Sequence, residues 1–278
     1  MLVDEISTSN FFAPLLDGAQ AEADGMNCII SVFRTRSETP TEKAAIEALR
    51  SSKLVGIVYT TLIRQVVEMP ESLKGIPAVL LNCATTTHNE FSVIPADVAG
   101  AYAATEHLLK AGHRRIAHLT ESRFHVAARD REAGYRQALT DWDIAIDKNL
   151  IRVSWVADNR SYTDTMRLLD LPNPPTAIFC FYDRLATGVY RAIQERGLRI
   201  PEDISVVGYD NEPRFAEYLV PPLTSVQLPH EEMGRQAVRM LLDYEQLRAS
   251  SQLPRLRKIE CPLVERLSVA PARTGTSA

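Results

Sequence analysis

The segment Pro201-Glu-Asp-Ile-Ser-Val-Val-Gly-Tyr-Asp-Asn211 decides how this chain folds. Its apolar run from Ile204 to Val207 lies between a Pro-led turn and a glycine, which is typical of a fully buried strand in a parallel sheet. Ligands bind to such sheets just beyond the carboxyl ends of the strands. The sequence therefore predicts that Asp210 lies where its carboxylate can contact a bound molecule. The alternative role of this aspartate is to stabilise a turn.

Strands and helices alternate on both sides of this segment. Apolar, β-branched runs predict strands at 28–32, 55–59, 78–81, 115–119, 151–155, 177–181, 204–207 and 259–264, after the end of a first strand at 2–3. Helical periodicity and its start and stop signals predict helices at 13–25, 41–52, 97–111, 127–141, 162–169, one ending at Gly197, and 231–247. This alternation is that of a doubly wound parallel sheet, and it runs through the chain twice. The predicted fold class is therefore α/β, with two doubly wound parallel-sheet lobes.

A helix and a strand remain after the second lobe is complete, so the chain is expected to return to the first. The predicted division is an N-terminal lobe of residues 1–111 plus 229–256 and a C-terminal lobe of residues 112–228 plus 257–278. Three crossings would form a hinge, and the cleft between the lobes would hold a ligand.

Composition narrows the function. The net charge of −4 argues against a dedicated nucleic-acid surface in these 278 residues, because phosphate binding needs clustered Lys and Arg. No apolar run is long enough to cross a membrane, and the N-terminus shows no signal-peptide pattern, which favours a cytoplasmic protein. The four cysteines lack C-x-x-C spacing, so we expect reduced thiols and no metal site or cofactor. None of the motifs G-x-S-x-G, G-x-G-x-x-G or H-E-x-x-H is present, so we predict no catalytic residues.

Five motifs carry a resemblance that covers nearly the whole chain. They are 106–117 (EHLLKAGHRRIA), 131–135 (REAGY), 175–183 (PTAIFCFYD, followed by Ala186-Thr-Gly188), 200–211 (IPEDISVVGYDN) and 221–227 (PPLTSVQ). In this order and spacing, they make the chain similar to the effector-binding core of LacI/GalR-type bacterial transcriptional repressors. That core shares its fold with type I periplasmic sugar-binding proteins.

The resemblance implies a sensor. The core would bind a small effector, with a carbohydrate as the leading candidate, and would change operator binding by a helix-turn-helix headpiece that these residues do not include. A homodimer would place two headpieces on DNA. The alternative is a periplasmic-type sugar-binding protein of a transporter, and an enzyme is the competing class.

Three charged residues match or favour effector binding. Arg131 matches an arginine that reaches the effector in this family, and its guanidinium suits hydroxyls, carboxylates or phosphate. Its alternative is a surface salt bridge, and we predict that Arg131→Ala costs about 1.5–3 kcal/mol of effector binding with little change in stability. Asp210 would accept paired hydroxyls. Asp183 is either a ligand residue or the N-cap of the following helix.

Aromatic and amide side chains complete the predicted site. Phe11 and Phe12 match the family's aromatic pair at the mouth of the first lobe, although one of them is expected to be an ordinary core residue. Further lining residues are Asn10, Tyr59, Tyr182 and Gln227. We assign His113 to the scaffold. Glu121 stands where the family often has glycine, which changes the expected shape of the pocket.

Overall fold

The computed structural model describes residues 1–4, 6, 11–34, 44, 46–49, 54–122, 124–155, 157–250 and 254–273. The described strands are β1 (Leu2–Val3), β2 (Phe33–Arg34), β3 (Ile57–Val66), β4 (Ala78–Ala84), β5 (Phe91–Pro95), β6 (Ile116–Thr120), β7 (Ile151–Val153), β8 (Ala177–Cys180), β9 (Ser205–Asp210), β10 (Thr224–Gln227), β11 (Leu256–Ile259) and β12 (Leu263–Val264). The longer helices are α1 (Phe12–Asp24), α2 (Asp97–Lys110), α3 (Val126–Asp141), α4 (Arg160–Leu169), α5 (Leu185–Glu195), α6 (His230–Leu242) and α7 (Tyr244–Ala249).

The chain divides into two compact units. Residues 1–95 and 229–259 form the first unit, and residues 96–228 and 260–278 form the second, so the chain passes between them three times. The predicted first boundary at 111/112 lies instead at 95/96, and the last lies at 259/260 instead of 256/257. The reason is that α2 packs against α3 of the second unit. A Cβ on Gly134 of α3 would lie 2.2 Å from the carbonyl oxygen of Val98, so only glycine allows this approach.

The first unit contains one sheet, in the order β11-β5-β4-β3-β1-β2, and all its neighbouring strands are parallel. Its core includes Leu15, Val79, Leu81 and Met233, which α1, β4 and α6 contribute. The helices α1 and α6 are also joined at the surface by a two-pronged ion pair, in which Arg239 contacts both carboxylate oxygens of Glu22 at 2.9 Å.

The second unit also contains one six-stranded sheet. Its sheet has the order β12-β10-β9-β8-β6-β7, in which only β12 runs antiparallel to its neighbour. The α/β class and the two predominantly parallel sheets confirm the prediction from sequence. One helical layer packs around Leu119, Ile178 and Val206, and the other around Phe179, Val207 and Tyr135. Because the central strands β6, β8, β9 and β10 are almost completely buried, their carboxyl ends supply the polar residues that reach the edge of the sheet.

Four details of the predicted elements are wrong. The strand expected at 28–32 lies at Phe33–Arg34, because those residues pair with Leu2 and Val3, and Ile29 is 92% exposed. The strand expected at 259–264 is split between β11 of the first sheet and β12 of the second. β5 was not predicted, and the helix expected at 231–247 is interrupted at Asp243. The helix predicted at 41–52 falls largely outside the described residues, of which 46–49 are helical.

Candidate functional site

The polar residues of the second unit gather beyond the carboxyl ends of its central strands. Glu121 follows β6, Tyr182 follows β8 within two residues, Asp210 ends β9, and Gln227 ends β10. The register pairs Gln227 directly with Asp210. Five of the predicted effector-binding residues therefore lie in this one unit, since Arg131 on α3 and Asp183 join them there.

Arg131 is the centre of this arrangement. Its side chain is only 5% exposed. Its Nε donates a hydrogen bond to Asp97 at 3.0 Å, and its Nη1 donates to the Phe181 carbonyl at 2.5 Å and to Asp210 at 3.2 Å. The guanidinium carbon lies 3.7 Å from the ring centroid of Tyr209, a cation–π contact. The remaining nitrogen, Nη2, has no hydrogen-bond partner among the described residues and can donate to a ligand.

Arg131 and Asp210 influence each other's pKa. Burial alone would lower the pKa of Arg131, but Asp97 and Asp210 more than offset it and raise the pKa, so the guanidinium is always charged. The pKa of Asp210 is raised by burial and by the nearby carboxylates of Asp183 and Asp97, against the opposing effect of Arg131. The charged Arg131 therefore contacts a carboxyl group, Asp210, whose protonated form is favoured by burial.

These contacts contradict the expectation that Arg131→Ala would change stability only a little. The structure instead shows a buried ion pair, and breaking such a pair leaves the partner carboxylates without a counter-charge. Arg131 therefore stabilises the fold of the second unit through these ion pairs, and its Nη2 remains available to a ligand.

Asp210 has an unusual backbone. Its φ angle is 101°, and that of Asn211 is 47°. Two successive residues other than glycine therefore have positive φ angles, in the region of backbone conformation that glycine normally occupies. Such a conformation costs on the order of 1–3 kcal/mol and concentrates at functional sites. It turns the chain sharply at the end of β9. Asp210 Oδ1 accepts from Arg131, and Oδ2 accepts no hydrogen bond from the described residues.

Asp183 is buried beneath the carboxyl edge of the second sheet and binds two of the segments that form it. Its Oδ1 accepts from the Ser225 hydroxyl at 2.5 Å, and its Oδ2 accepts from the backbone N–H of Glu212 at 2.7 Å. Burial raises the pKa of Asp183 to about 7, although both hydrogen bonds oppose the change. A Cβ on Gly208 would lie 2.2 Å from Asp183 Oδ1, so the carboxylate rests directly on the backbone of β9. It is not the N-cap of α5, since that cap is Arg184. These contacts favour a positioning role, and direct effector binding by Asp183 stays a prediction.

Gln227 and Tyr182 also lie at this edge. Gln227 Oε1 accepts from the Asn211 side-chain amide at 2.6 Å, and Gln227 Nε2 donates to the Leu228 carbonyl at 3.0 Å. Asn211 in turn accepts from Arg266 at 2.7 Å. Tyr182 is half-buried and makes an edge contact with Phe181, with ring centroids 5.5 Å apart. The network fixes Gln227 beside Asp210 and leaves its role toward an effector as a prediction.

The other predicted residues belong to the first unit or fall outside the described residues. Phe11 stacks on His230 with ring centroids 4.7 Å apart, and Phe12 is buried on α1, in line with the expectation that one of the pair is a core residue. Tyr59 lies in the interior of β3, which continues to Val66, and packs in a core cluster of the first unit. Its predicted position at the end of a strand is therefore wrong. Asn10 lies outside the described residues.

Glu121, at the edge of the second sheet, was not predicted as a site residue. Glu121 has a side chain that is 14% exposed, and its carboxylate lies 4.0 Å from Nδ1 of His125. Burial raises the pKa of Glu121, while His125 and Arg131 act in the opposite direction. The departure from the glycine expected at position 121 was the only signal in the sequence.

His113 has the structural role that the sequence predicted. One ring nitrogen lies 2.9 Å from the Thr176 hydroxyl, and the other lies 3.0 Å from the Ser205 hydroxyl. The imidazole thus joins the exit of α2 to the beginnings of β8 and β9.

Other classes of site are not formed by the described residues. No three His, Cys, Asp or Glu side chains within those ranges come together as ligands for a metal ion. All four cysteines are free thiols. Among the described residues, no helix is both long enough and apolar enough to cross a membrane.

Comparison with known proteins agrees with this geometry. The family model of a periplasmic binding protein-like domain matches residues 105–269. The HTH-type transcriptional repressor PurR of Vibrio atlanticus (strain LGP32) is 31% identical over 271 residues, which are 97% of this chain and 80% of that protein. A putative transcriptional regulator of the LacI family from Rhizobium etli has a TM-score of 0.85 and 29% identity, with 97% of each chain covered. A LacI-family regulator from Enterococcus faecium, solved with bound ribose, has a TM-score of 0.75 and 26% identity, with 98% of each chain covered.

The two sheet-based units and the polar edge define an effector-binding core of the periplasmic-binding-protein-like class. Within that class, the chain belongs to the LacI family of transcriptional regulators. The resemblance inferred from the five sequence motifs is confirmed, and the relatives are regulators rather than enzymes.

Proposed function

We propose that this chain is the ligand-sensing core of a LacI-type transcriptional repressor and that it binds a small carbohydrate without altering it. The effector would be held beyond the carboxyl ends of β6, β8, β9 and β10. Its binding would change operator recognition by a DNA-binding headpiece, in a cytoplasmic homodimer whose symmetry matches two operator half-sites.

The observation that supports the proposal most strongly is the ion pair of Arg131 and Asp210, in which each side chain uses only some of its polar atoms. Both side chains are fixed by their mutual hydrogen bond at 3.2 Å, yet Arg131 Nη2 and Asp210 Oδ2 have no partner among the described residues. A donor and an acceptor held side by side suit neighbouring hydroxyl groups on a sugar ring, because each hydroxyl both donates and accepts. The ribose bound to the related Enterococcus faecium regulator supports a sugar as the ligand class.

A thermal-shift screen over free sugars tests the proposal. A ligand at 100 times its Kd stabilises the folded state by about 2.7 kcal/mol, so a specific sugar raises the melting temperature while its enantiomer does not. D-ribose with L-ribose, and D-glucose with L-glucose, are suitable matched pairs. The melting temperature is expected to rise with only one member of a pair. Equal shifts with both enantiomers, or no shift with any sugar, would count against a carbohydrate sensor.

Three further measurements test the proposal against the competing classes. Chromatography of the bound sugar after long incubation should recover it unchanged, whereas turnover would indicate an enzyme. Light scattering should give the mass of a dimer. Transcription of neighbouring genes, compared in strains with and without this gene, should respond to the same sugar. A transporter's binding protein would leave those transcripts unchanged.

A further inference from the structure

A cavity of about 390 Å³ lies in the first unit, where β1 begins. Met1 and the segments 27–31 and 54–58 line it. Hydrophobic side chains from the two core clusters of the unit line it as well, among them Leu241 of one cluster and Leu54 beside the other. The cavity is therefore bounded by two stretches of backbone and by apolar side chains from both layers that cover the sheet.

The strand register shows that this cavity lies on the line of β1. Leu2 is opposite Phe33 on one side and Tyr59 on the other, so β1 is a central strand, although it has only two residues. In the same register, three residues placed before the first residue of the chain would lie opposite 29–31 and 55–57. These segments line the cavity, which therefore has the position of a strand in the sheet.

The backbone beside the cavity presents unused hydrogen-bonding groups. Alternate residues of a strand direct their N–H and C=O groups toward the same neighbouring strand. The Thr60 carbonyl accepts from the N–H of Asp4, so the backbone of Gly56 also faces the line of β1. The Ser31 carbonyl accepts from the Met1 amino group at 2.6 Å and faces the same line. The N–H groups of Gly56 and Ser31 have no acceptor among the described residues, and such groups are a template for pairing with another strand.

We propose that this cavity is an acceptor for a β-strand and that it takes an extended apolar peptide segment joined to Met1, which lengthens β1 by three residues. The segment runs parallel to β3 and accepts hydrogen bonds from Gly56 and Ser31. Its side chains point alternately toward the layers that contain Leu241 and Leu54, so apolar residues are favoured on both of its faces. The proposal concerns the first unit and does not depend on the effector.

The position of Met1 favours a joined segment over a separate molecule. Its amino group lies at the cavity, and burial lowers its pKa to about 6. A peptide bond at this position would keep the N–H that donates to Ser31 and remove the buried charge. Two large apolar side chains that line the cavity, Ile29 and Val55, are 92% and 52% exposed, as expected of a surface that another segment covers.

Two amino-terminal extensions of the full chain test the proposal. One places Met-Val-Ile-Val before Met1, and the other places the polar sequence Met-Gly-Asn-Ser, of the same length, at the same point. The apolar extension is expected to raise the melting temperature by roughly 3 °C or more, and the polar one by less than about 1 °C. Hydrogen exchange of the Gly56 and Ser31 amides should slow roughly tenfold or more with the apolar extension alone.

Proline substitutions show whether the segment pairs in the expected register. Ser31→Pro removes an N–H that faces the segment. Ile30→Pro is the matched control, because alternation directs the N–H of Ile30 away from the cavity. The rise in melting temperature is measured within each background, against the same variant without the extension. It should fall by roughly half or more in Ser31→Pro and stay unchanged in Ile30→Pro.

The outcomes that overturn the proposal are distinct. Equal melting temperatures for the two extensions would show that no apolar strand is accepted, and a rise that Ser31→Pro leaves unchanged would show that the segment packs elsewhere. A rise that depends on protein concentration would mean that the segment binds a second copy. The same rise from a free peptide of that sequence would mean that a separate molecule suffices. Either result would overturn the assignment to a joined segment, and none of these results bears on the effector.

Discussion

Replacing Arg131 with alanine is the sharpest test of the candidate site. The change removes charged hydrogen bonds to Asp97 at 3.0 Å and to Asp210 at 3.2 Å, and a further bond to the Phe181 carbonyl. It also removes the cation–π contact with the ring of Tyr209 at 3.7 Å. Removing one partner of a buried pair typically costs about 3–5 kcal/mol, because the other charge remains buried without compensation. We therefore expect Arg131→Ala to lower the free energy of unfolding by about that amount.

An upper limit for each abandoned carboxylate comes from proton uptake. A carboxyl group with an ordinary pKa near 4 can be protonated at pH 7 at a cost of about 4 kcal/mol, and burial cannot penalise the folded state by more than that. Each abandoned carboxylate therefore adds at most about that amount to the loss of stability at pH 7.

Urea denaturation at pH 7 measures the loss. Arg129→Ala on the same helix is the control, since Arg129 is exposed and should change stability by less than about 0.5 kcal/mol. The double variant Arg131→Met with Asp97→Asn should recover part of the loss, because it removes a stranded charge together with its partner. A loss below about 1 kcal/mol for Arg131→Ala would show that the ion pair does not support the fold.

Three further predictions concern the residues that support this site. Burial lowers the pKa of His118 to about 4, so the unfolded state binds more protons below about pH 6.5 and stability falls as the pH falls toward 4, by at most about 3 kcal/mol. In His118→Phe this contribution should disappear, which urea denaturation at pH 7.5 and 5 would detect as a flatter dependence than in the wild type. Gly134→Ala should cost about 1–3 kcal/mol by forcing α2 and α3 apart, whereas Gly25→Ala, whose nearest neighbour would lie at 3.5 Å, should be nearly neutral in the same thermal denaturation. Asp183→Ala leaves the buried N–H of Glu212 unpaired and should cost about 1–3 kcal/mol in denaturation, and an unchanged midpoint would remove Asp183 from its positioning role.

The architecture could be predicted because local signals and burial agree. Continuous apolar runs such as 177–181 and 204–207 become strands that are buried on both faces, and a Pro or Gly beside each run sets its ends. The amphipathic helices are found within two or three residues of their predicted starts. Asp210 could be placed at the carboxyl edge of its sheet for the same reason, since the end of a parallel strand is indicated directly by the sequence pattern.

The details that failed depend on contacts between distant residues. The run at 28–32 is apolar enough for a strand, but pairing with Leu2–Val3 selects the next two residues instead. The boundary of the first unit moves because Gly134 admits α2 at close range, and a single glycine in a helix gives no sign of its partner. The interior position of Tyr59 follows from the extension of β3 past the threonines, which sequence reasoning took as its end.

The residues that would hold a ligand in the second unit are also those that hold the unit together, and this has a consequence for sensing. Asp210 is kept in a left-handed backbone conformation, and hydrogen bonds from a ligand to its Oδ2 would help to offset that cost. A ligand should therefore stabilise the second unit most strongly around β9, and hydrogen exchange of this strand should slow on binding. Slowing confined to other elements would show that the effector does not bind at this edge.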